Sequence, residues 1–331
     1  MTRHVEGPYF EDLSIGDALR APALTVTSGH AAAHQAILGD RIAVQLDARL
    51  GRAVFAGAVP APPGLVVDLA IGQSSVFTRR VTANLFYRGL QLRALPALGD
   101  TLRTETEVVA LRQNRPRAGR AATGLAVLRI RTEDDRGRRI LDFERCAMLP
   151  LRDQELRTGH ADDVEAGRAE IDLAGATALA QGWDLAPVRA AVDGPFADEL
   201  AVGDGWQMEE ADPVTAATEL ARLTLNLAAV HYDRRATGAD ERLVYGGHAI
   251  GLAAHQAAKA IPALCAVIAW HGCDHTAPVR EEDLLTSRLT VEDLTPLASG
   301  GALAHLRSVV CAERDGWSGE VLDWRFVGVV A

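Results

Sequence analysis

The feature that most constrains the fold of this 331-residue chain is an internal repeat. Residues 8–17 read PYFEDLSIGD, and residues 195–204 read PFADELAVGD, at an offset of 187 positions (204 − 17). Two further pairs of similar segments follow in the same order. GDTL at 99–102 matches EDLL at 282–285, at an offset of 183 positions (283 − 100). ILDF at 140–143 matches VLDW at 321–324, at an offset of 181 positions (323 − 142). Landmarks in one order at a nearly constant offset predict two copies of one unit, at 1–150 and 191–331.

Each copy contains one apolar helical stretch. In the second copy, residues 243–261 are rich in alanine and leucine and contain no proline before Pro262, which predicts a long buried helix that begins at Gly246-Gly247. In the first copy, residues 61–64 read APPG, and prolines suit a first helical turn. Residues 65–71 then continue this predicted helix.

Strand-like runs follow each helical stretch. They include residues 101–111, 124–131 and 303–311. One long helix wrapped by an antiparallel sheet, made twice, is an α+β architecture. Residues 151–190 are charged and rich in alanine without a strand pattern, so we interpret them as a linker that is partly helical.

Charge and cysteine usage exclude several classes of function. Thirty-four Lys and Arg residues against 44 Asp and Glu residues give a net charge of −10, which disfavours nucleic acid and acidic membranes as partners. The four cysteines form no C-x-x-C pair, the N-terminus lacks a hydrophobic signal region, and no apolar run is long enough to span a bilayer. A cytoplasmic location is therefore expected.

Several segments carry a family resemblance. Residues 9–17 and 278–284 resemble motifs of the MaoC-like acyl-CoA dehydratases and hydratases, whose structural unit is the hotdog fold. Four further segments, 111–114, 222–231, 244–248 and 275–278, are similar to those of a double-hotdog hydratase of this family. The resemblance implies a double hotdog that hydrates an enoyl-CoA or dehydrates a 3-hydroxyacyl-CoA. Its partner would be an acyl-CoA or acyl-carrier substrate, with no cofactor.

The resemblance also implies where a catalytic base would lie. R-specific hydratases of this family carry an Asp and, five positions later, a His. In the second copy these positions hold Asn226 and His231, and in the first copy they hold Asp40 and Gln45. The two halves of the pair are on different copies, so Asp40 and His231 are not expected to meet. We predict that His231 is the general base and that Asn226 orients water. The alternative is a hydrogen-bonded structural histidine.

A thioester oxygen that gains negative charge needs hydrogen-bond donors, and backbone N–H groups at a helix N-terminus supply them. Gly246 and Gly247 are predicted to do so, with Gly247 catalytic and Gly246 contacting the substrate together with the flanking Tyr245 and His248. The alternative is a tight turn before a buried helix.

The first copy is predicted to shape the pocket without performing the chemistry, because Pro62 and Pro63 have no N–H to donate. Asp40, Tyr87 and Arg88 are candidate pocket residues, and Arg88 suits an acyl carboxylate or a CoA phosphate. Arg112 begins a basic loop, 112–120, that suits the CoA phosphates. A surface strand arginine and a solvated hairpin are the alternatives for these two features.

Other chemistries find little support. The run His271-Gly-Cys273-Asp-His275 alternates metal-capable side chains, but it coincides with the family's strand motif, so no metal site is predicted. Nucleotide-binding glycine loops are absent from the sequence. Two alternative functions stay open: a non-catalytic acyl-thioester-binding protein, and a hotdog thioesterase, which would need a carboxylate near the helix N-terminus. A homodimer of the double unit is also expected.

Overall fold

The computed structural model describes residues 2, 5–117, 119–165, 170–237 and 241–331. Its helices are α1 (Ser28–Leu38), α2 (Ala43–Leu46), α3 (Ala48–Val54), α4 (Pro63–Gln73), α5 (Leu173–Gln181), α6 (Ala186–Ala191), α7 (Ala217–Leu223) and α8 (Gly246–Ala260). Its strands are β1 (Ala18–Arg20), β2 (Leu24–Thr25), β3 (Ala83–Arg88), β4 (Thr101–Gln113), β5 (Thr123–Glu133), β6 (Arg139–Pro150), β7 (Gly205–Gln207), β8 (Asp212–Pro213), β9 (Leu264–His275), β10 (Leu284–Pro296), β11 (Ala302–Arg314) and β12 (Trp317–Val330).

The strands form one antiparallel sheet that runs through both copies. Its order is β1-β4-β5-β6-β3-β9-β12-β11-β10-β7, with β2 beside β4 and β8 beside β10. The second five strands repeat the order of the first five in reverse, so the copies are related by an approximate twofold axis. The two halves of the sheet join where β3 pairs with β9, at Phe86 with Asp274 and Tyr87 with Cys273.

A central helix packs against each half of the sheet. Helix α8 is rich in alanine, the best helix former, and ends before Pro262, which cannot continue a helix. It contacts all four long strands of its own copy. Helix α4 begins with Pro63 in its first turn, and ten of its eleven residues are buried. The predicted α+β architecture, one helix against an antiparallel sheet in each copy, is confirmed.

The segment predicted as a linker, 151–190, packs against the folded copies. It contains α5 and the start of α6, and its Trp183, Leu185 and Val188 join the main hydrophobic core. Val164 covers the face of the first half-sheet that lies away from the helices. Residues 166–169 of this segment lie outside the described residues.

No helix within the described ranges is long and apolar enough to cross a membrane. All four cysteines are free thiols, and Cys146, Cys265 and Cys273 are buried.

Candidate functional site

A cavity of about 330 Å³, called here the large cavity, opens between the two copies. The first copy contributes the C-terminal end of α4, strand β3 and one residue of β6; the second contributes residues 226–231, the N-terminus of α8 and residues 275–279. Its polar lining side chains include Ser75, Thr78, Asn84, Tyr87, Arg145, Asn226, His231 and Tyr245. The site is therefore built from both halves of the chain.

His231 presents one ring nitrogen for chemistry. The other, Nδ1, lies 2.7 Å from the carbonyl oxygen of Leu243, so Nδ1 carries the proton and Nε2 keeps its lone pair. Burial lowers the pKa of His231 to about 4, and the positive charge of Arg145 acts in the same direction. The imidazole is therefore neutral near pH 7, which is the form that a general base needs.

Asn226 has a free donor beside this histidine. Its Oδ1 accepts a hydrogen bond of 2.9 Å from the N–H of Ala228, and its backbone oxygen accepts one of 2.6 Å from the hydroxyl of Tyr232. No acceptor for Asn226 Nδ2 is found in the described part of the chain. The fixed amide can therefore donate to a water molecule or to substrate, but it cannot take a proton.

The N-terminus of α8 borders the large cavity at Gly246. The helix has no side-chain cap, so its first N–H groups stay available to a ligand. A Cβ atom at Gly246 would lie 2.6 Å from Nε2 of His275, so any larger residue here would force the His275 ring to move. The neighbouring Tyr245 also lines the cavity, and its hydroxyl donates to Oδ1 of Asp68 over 3.1 Å.

Two predicted residues of this helix lie elsewhere. Gly247 borders a second, smaller cavity, with its Cα facing Asp68 and the ring of Tyr245. His248 is fully buried, burial lowers its pKa to about 4, and neither ring nitrogen has a partner in the described part of the protein. The helix turns by about 100° per residue, so successive residues cannot all face one cavity.

Two predicted arginines also lie outside the large cavity. Tyr87 points into it, and because successive side chains of a strand point to opposite faces, Arg88 points away. There Arg88 lies over the ring of Phe86 and pairs with Asp274 at 3.2 Å. Arg112 lies on β4, outside both cavities, and Ala118 of its basic loop is outside the described residues. Arg88 is therefore not placed to contact an acyl group in the large cavity, and the contact of Arg112 with the CoA phosphates stays a prediction.

The small cavity, about 50 Å³, holds the first copy's version of the site. Asp40 and Gln45 line it, together with the buried pair His34 and Asp68, which is joined by a hydrogen bond of 3.0 Å. Burial raises the pKa of Asp40. Asp40 and His231 thus lie in different cavities, in agreement with the expectation that they do not meet.

Sequence reasoning missed Arg145 and Asn84, which both line the large cavity. A signal for Arg145 is present in the sequence, because it continues the inward face of a strand, after Leu141 and Phe143 and before Ala147 and Leu149. A charged residue in an alternating apolar series marks an unusual buried position. Asn84 carries no comparable signal.

The described residues hold no group of three or more His, Cys, Asp or Glu side chains suited to a metal ion. Of the alternating run that begins at His271, the first ring is hydrogen-bonded to His305, with 2.8 Å between Nε2 and Nδ1. Cys273 is buried, and burial raises the pKa of its thiol.

Comparisons with known proteins support the same interpretation. No family profile matches the chain. It is 27% identical to mesaconyl-CoA hydratase of Cereibacter sphaeroides over 305 residues, covering 89% of this chain and 86% of that protein. It is also 27% identical to β-methylmalyl-CoA dehydratase of Chloroflexus aurantiacus over 283 residues, 82% of this chain and 78% of that protein.

A solved structure gives a stronger match. Rv0216 of Mycobacterium tuberculosis, described as having a double hotdog fold, superposes with a TM-score of 0.89 and 47% sequence identity, covering 98% of each chain. This relationship extends over both copies and over the segment between them.

Proposed function

Because this chain belongs to the MaoC-like double-hotdog family of acyl-CoA hydratases and dehydratases, we propose that it reversibly hydrates an enoyl-CoA in its large cavity. The product is the corresponding 3-hydroxyacyl-CoA. The observation that carries this proposal is a neutral His231, whose Nε2 has no partner in the described ranges, in the same cavity as the uncapped N-terminus of α8.

In the hydration direction, Nε2 of His231 takes a proton from water while the water oxygen bonds to the β-carbon. The electron pair of the double bond moves toward the thioester oxygen, where N–H groups at the start of α8 stabilise the negative charge. The imidazolium then gives its proton to the α-carbon, which restores the neutral ring. Asn226 Nδ2 donates to the water oxygen and fixes its position. Dehydration follows the same steps in reverse.

Both alternative functions have a structural weakness. A thioesterase of this type needs a carboxylate beside the helix N-terminus; Asp68 lies beside the start of α8, but it lines the small cavity, and no Asp or Glu is among the described residues that line the large one. A protein that only binds thioesters would not require a histidine whose tautomer is fixed with the lone pair on Nε2, a nitrogen without a partner among the described residues. The geometry therefore favours hydration over both.

A panel of enoyl-CoA substrates tests the proposal. Purified protein is incubated with crotonyl-CoA and mesaconyl-CoA, among others, and the loss of conjugated-thioester absorbance is followed. We expect at least one substrate to be hydrated. Release of free CoA, detected with a thiol reagent, would instead establish a thioesterase. Binding of CoA esters by calorimetry without any turnover would establish a binding protein.

We also propose that CoA is the carrier, that the double unit forms a homodimer and that it acts in the cytoplasm. Names of the relatives support CoA, and the four free thiols suit a reducing compartment. Analytical ultracentrifugation tests the dimer. A sedimentation mass near 35.3 kDa would refute it.

A further inference from the structure

The loop of residues 226–231, called here the base loop, belongs to the second copy but rests on the first. Its Ala228 and Val230 are buried in a hydrophobic cluster with side chains of the first copy. Just before the loop, the chain passes close to the end of α4, where a Cβ atom at Gly72 would collide with the carbonyl oxygen of Thr224. The loop that carries the proposed base is therefore attached to the other copy.

The hydroxyl of Ser75 makes one of these attachments beside Asn226. Ser75 follows α4, is 2% exposed and lines the large cavity. Its Oγ donates its only hydrogen to the carbonyl oxygen of Gly72, so its lone pairs are left to accept from the N–H of Leu227 over 2.7 Å. One side chain thus ties the end of α4 to the residue that follows Asn226.

The backbone N–H groups of positions 227–229 show how much of the base loop depends on the first copy. They donate in turn to Oγ of Ser75, to Oδ1 of Asn226 and to the carbonyl oxygen of Arg79. The first and last of these acceptors belong to the first copy. The bond to Ser75 therefore fixes the backbone directly beside the amide that we propose to orient water.

Apolar packing holds this end of the base loop weakly. The side chains of Leu225 and Leu227 are 37% and 42% exposed. Leu225 also has a φ of +58°, a conformation that residues with a side chain disfavour and that persists only where the surroundings hold it. The position of Asn226 therefore depends more on hydrogen bonds than on burial.

The fold itself does not require a hydroxyl at this position. The residue of α8 that is equivalent to Ser75 is Ala258, at the offset of 183 positions that also relates Gly246 to Pro63 (258 − 75, 246 − 63). Ala258 is buried in α8, so a central helix of this architecture packs with alanine there. The serine occurs in the copy that contacts the loop with the histidine.

We propose that Ser75 is a positioning residue for hydration, by which the first copy fixes the base loop of the second. This inference rests on the proposed function, because it assumes that Asn226 and His231 together hold and deprotonate the water. Ser75 contacts no reacting atom. It keeps Nδ2 of Asn226 and Nε2 of His231 directed at one point, and a displacement of about 1 Å at such a place can cost about a hundredfold in rate.

Replacing Ser75 tests this role by the way in which kcat and KM separate. Ser75→Ala removes the acceptor for the N–H of Leu227, so we expect kcat to fall roughly tenfold to a hundredfold. KM should stay within about threefold of wild type, because the start of α8 is unchanged. Ser75→Thr keeps a hydroxyl and should recover part of the loss. A kcat in Ser75→Ala within about twofold of wild type, measured on the best enoyl-CoA, would overturn the inference.

Ser74→Ala is the matched control. Ser74 is also buried, and its Oγ donates to the carbonyl oxygen of Ile71 over 2.6 Å. Among the described residues this hydroxyl has no bond to the base loop. Both variants lose a hydroxyl bonded to a carbonyl of α4, but only Ser75→Ala loses a bond to the other copy. Ser74→Ala should therefore keep kcat within about twofold of wild type, and equal losses in the two variants would refute the role of the loop contact.

Hydrogen–deuterium exchange followed by mass spectrometry separates the two proposals, because it requires no turnover. Peptides that cover residues 224–231 should exchange about twofold to tenfold faster in Ser75→Ala than in wild type or Ser74→Ala, the range for loss of one hydrogen bond. Unchanged exchange in Ser75→Ala would overturn the inference. Faster exchange in a protein whose wild type hydrates no enoyl-CoA would refute the hydratase function and leave the attachment of the base loop standing.

Discussion

The large and small cavities occupy equivalent places in the two copies, but only the large one is equipped for chemistry. Beside it lie Asn226 and His231; the equivalent positions beside the small cavity hold Asp40 and Gln45, and glutamine is not a base. The helix at the large cavity starts with Gly246, whereas α4 starts with Pro63, which has no N–H to donate.

The strands β3 and β9 also differ in the side chains that they present to the two cavities. Val267 and Trp270 lie 183 positions after Asn84 and Tyr87 and line the small cavity instead of the large one (267 − 84, 270 − 87).

On the neighbouring strand, Phe326 lies 181 positions after Arg145 (326 − 145) and stacks on Trp324, with ring centroids 3.9 Å apart. Aromatic rings thus pack at the small cavity where polar groups line the large one, and the two volumes are about 50 Å³ and about 330 Å³. One cavity is built for binding and the other for packing.

Replacing His231 and Gln45, the equivalent residues at the two cavities, tests this difference with the largest expected effect. His231→Ala should lower kcat for hydration by about 10²–10⁴, the usual contribution of general-base catalysis. Gln45→Ala, the matched change at the small cavity, should leave kcat within about twofold of wild type. Steady-state kinetics on the best enoyl-CoA measures both. Equal losses in the two variants would mean that the cavities do not differ as described.

The helix starts give the next largest effect. A methyl group at Gly246 would collide with His275, whereas one at Gly64 would meet only Cε1 of His34 at an ordinary 3.5 Å. Gly246→Ala should therefore lower kcat/KM at least tenfold, toward the roughly 10²–10³ that follows loss of an oxyanion donor, while Gly64→Ala should be nearly neutral. Thermal unfolding of both variants checks that each is folded. Full activity in Gly246→Ala would exclude this helix start from the site.

The pH dependence of kcat/KM sharpens the assignment of the base. Burial lowers the pKa of His231 to about 4, and the neutral form is the active one, so activity should stay level from pH 8 to about 5 and fall as the pH approaches 4. Burial also lowers the pKa of His275, the other imidazole among the described residues that line the large cavity, to about 4. Circular dichroism at each pH verifies folding. Half-loss near pH 6.5 would contradict a buried base.

The smallest effect is expected at the small cavity. Burial raises the pKa of Asp40, so its ionised form costs stability above the ordinary carboxyl pKa, and that cost disappears as the pH falls. Asp40→Asn can keep the hydrogen bond from the N–H of Ile42 while removing the charge. We expect the melting temperature to rise by roughly 1–3 °C at pH 8 and by less at pH 4, with unchanged kcat. A lower melting temperature at pH 8 would show that the carboxylate is stabilising.

The repeat and the apolar stretches were sufficient to predict the fold. Landmarks at a steady offset defined two equivalent units, and the alanine-rich run before Pro262 predicted a helix over 243–261 that the structure has at Gly246–Ala260. These features are local: propensity, proline positions and strand alternation act within a few residues. Local patterns therefore determine which elements form.

The composition of the site depended on contacts that local patterns do not contain. Arg145 of β6 faces the same cavity as His231 because of the way in which β3 and β9 pair. Gly247 borders the other cavity because of the rotation of α8 about its axis. The family motifs identified Asn226, His231, Tyr245 and Gly246 as site residues, whereas Arg88, a predicted pocket residue, points away from the large cavity. Which face of a strand meets the cavity is decided by tertiary packing.

The two copies belong to one covalent chain, linked through residues 151–190, and the pairing of β3 with β9 joins them into one sheet. In an assembly of two identical hotdog subunits, every substitution would occur at both symmetry-related sites, so a change that helps one would be imposed on the other. In this chain, two equivalent positions of the two copies can mutate independently of each other. Trp270 and Trp324 can fill the small cavity without blocking the large one, and the guanidinium of Arg145 at the large cavity has no counterpart among the described residues at the small one.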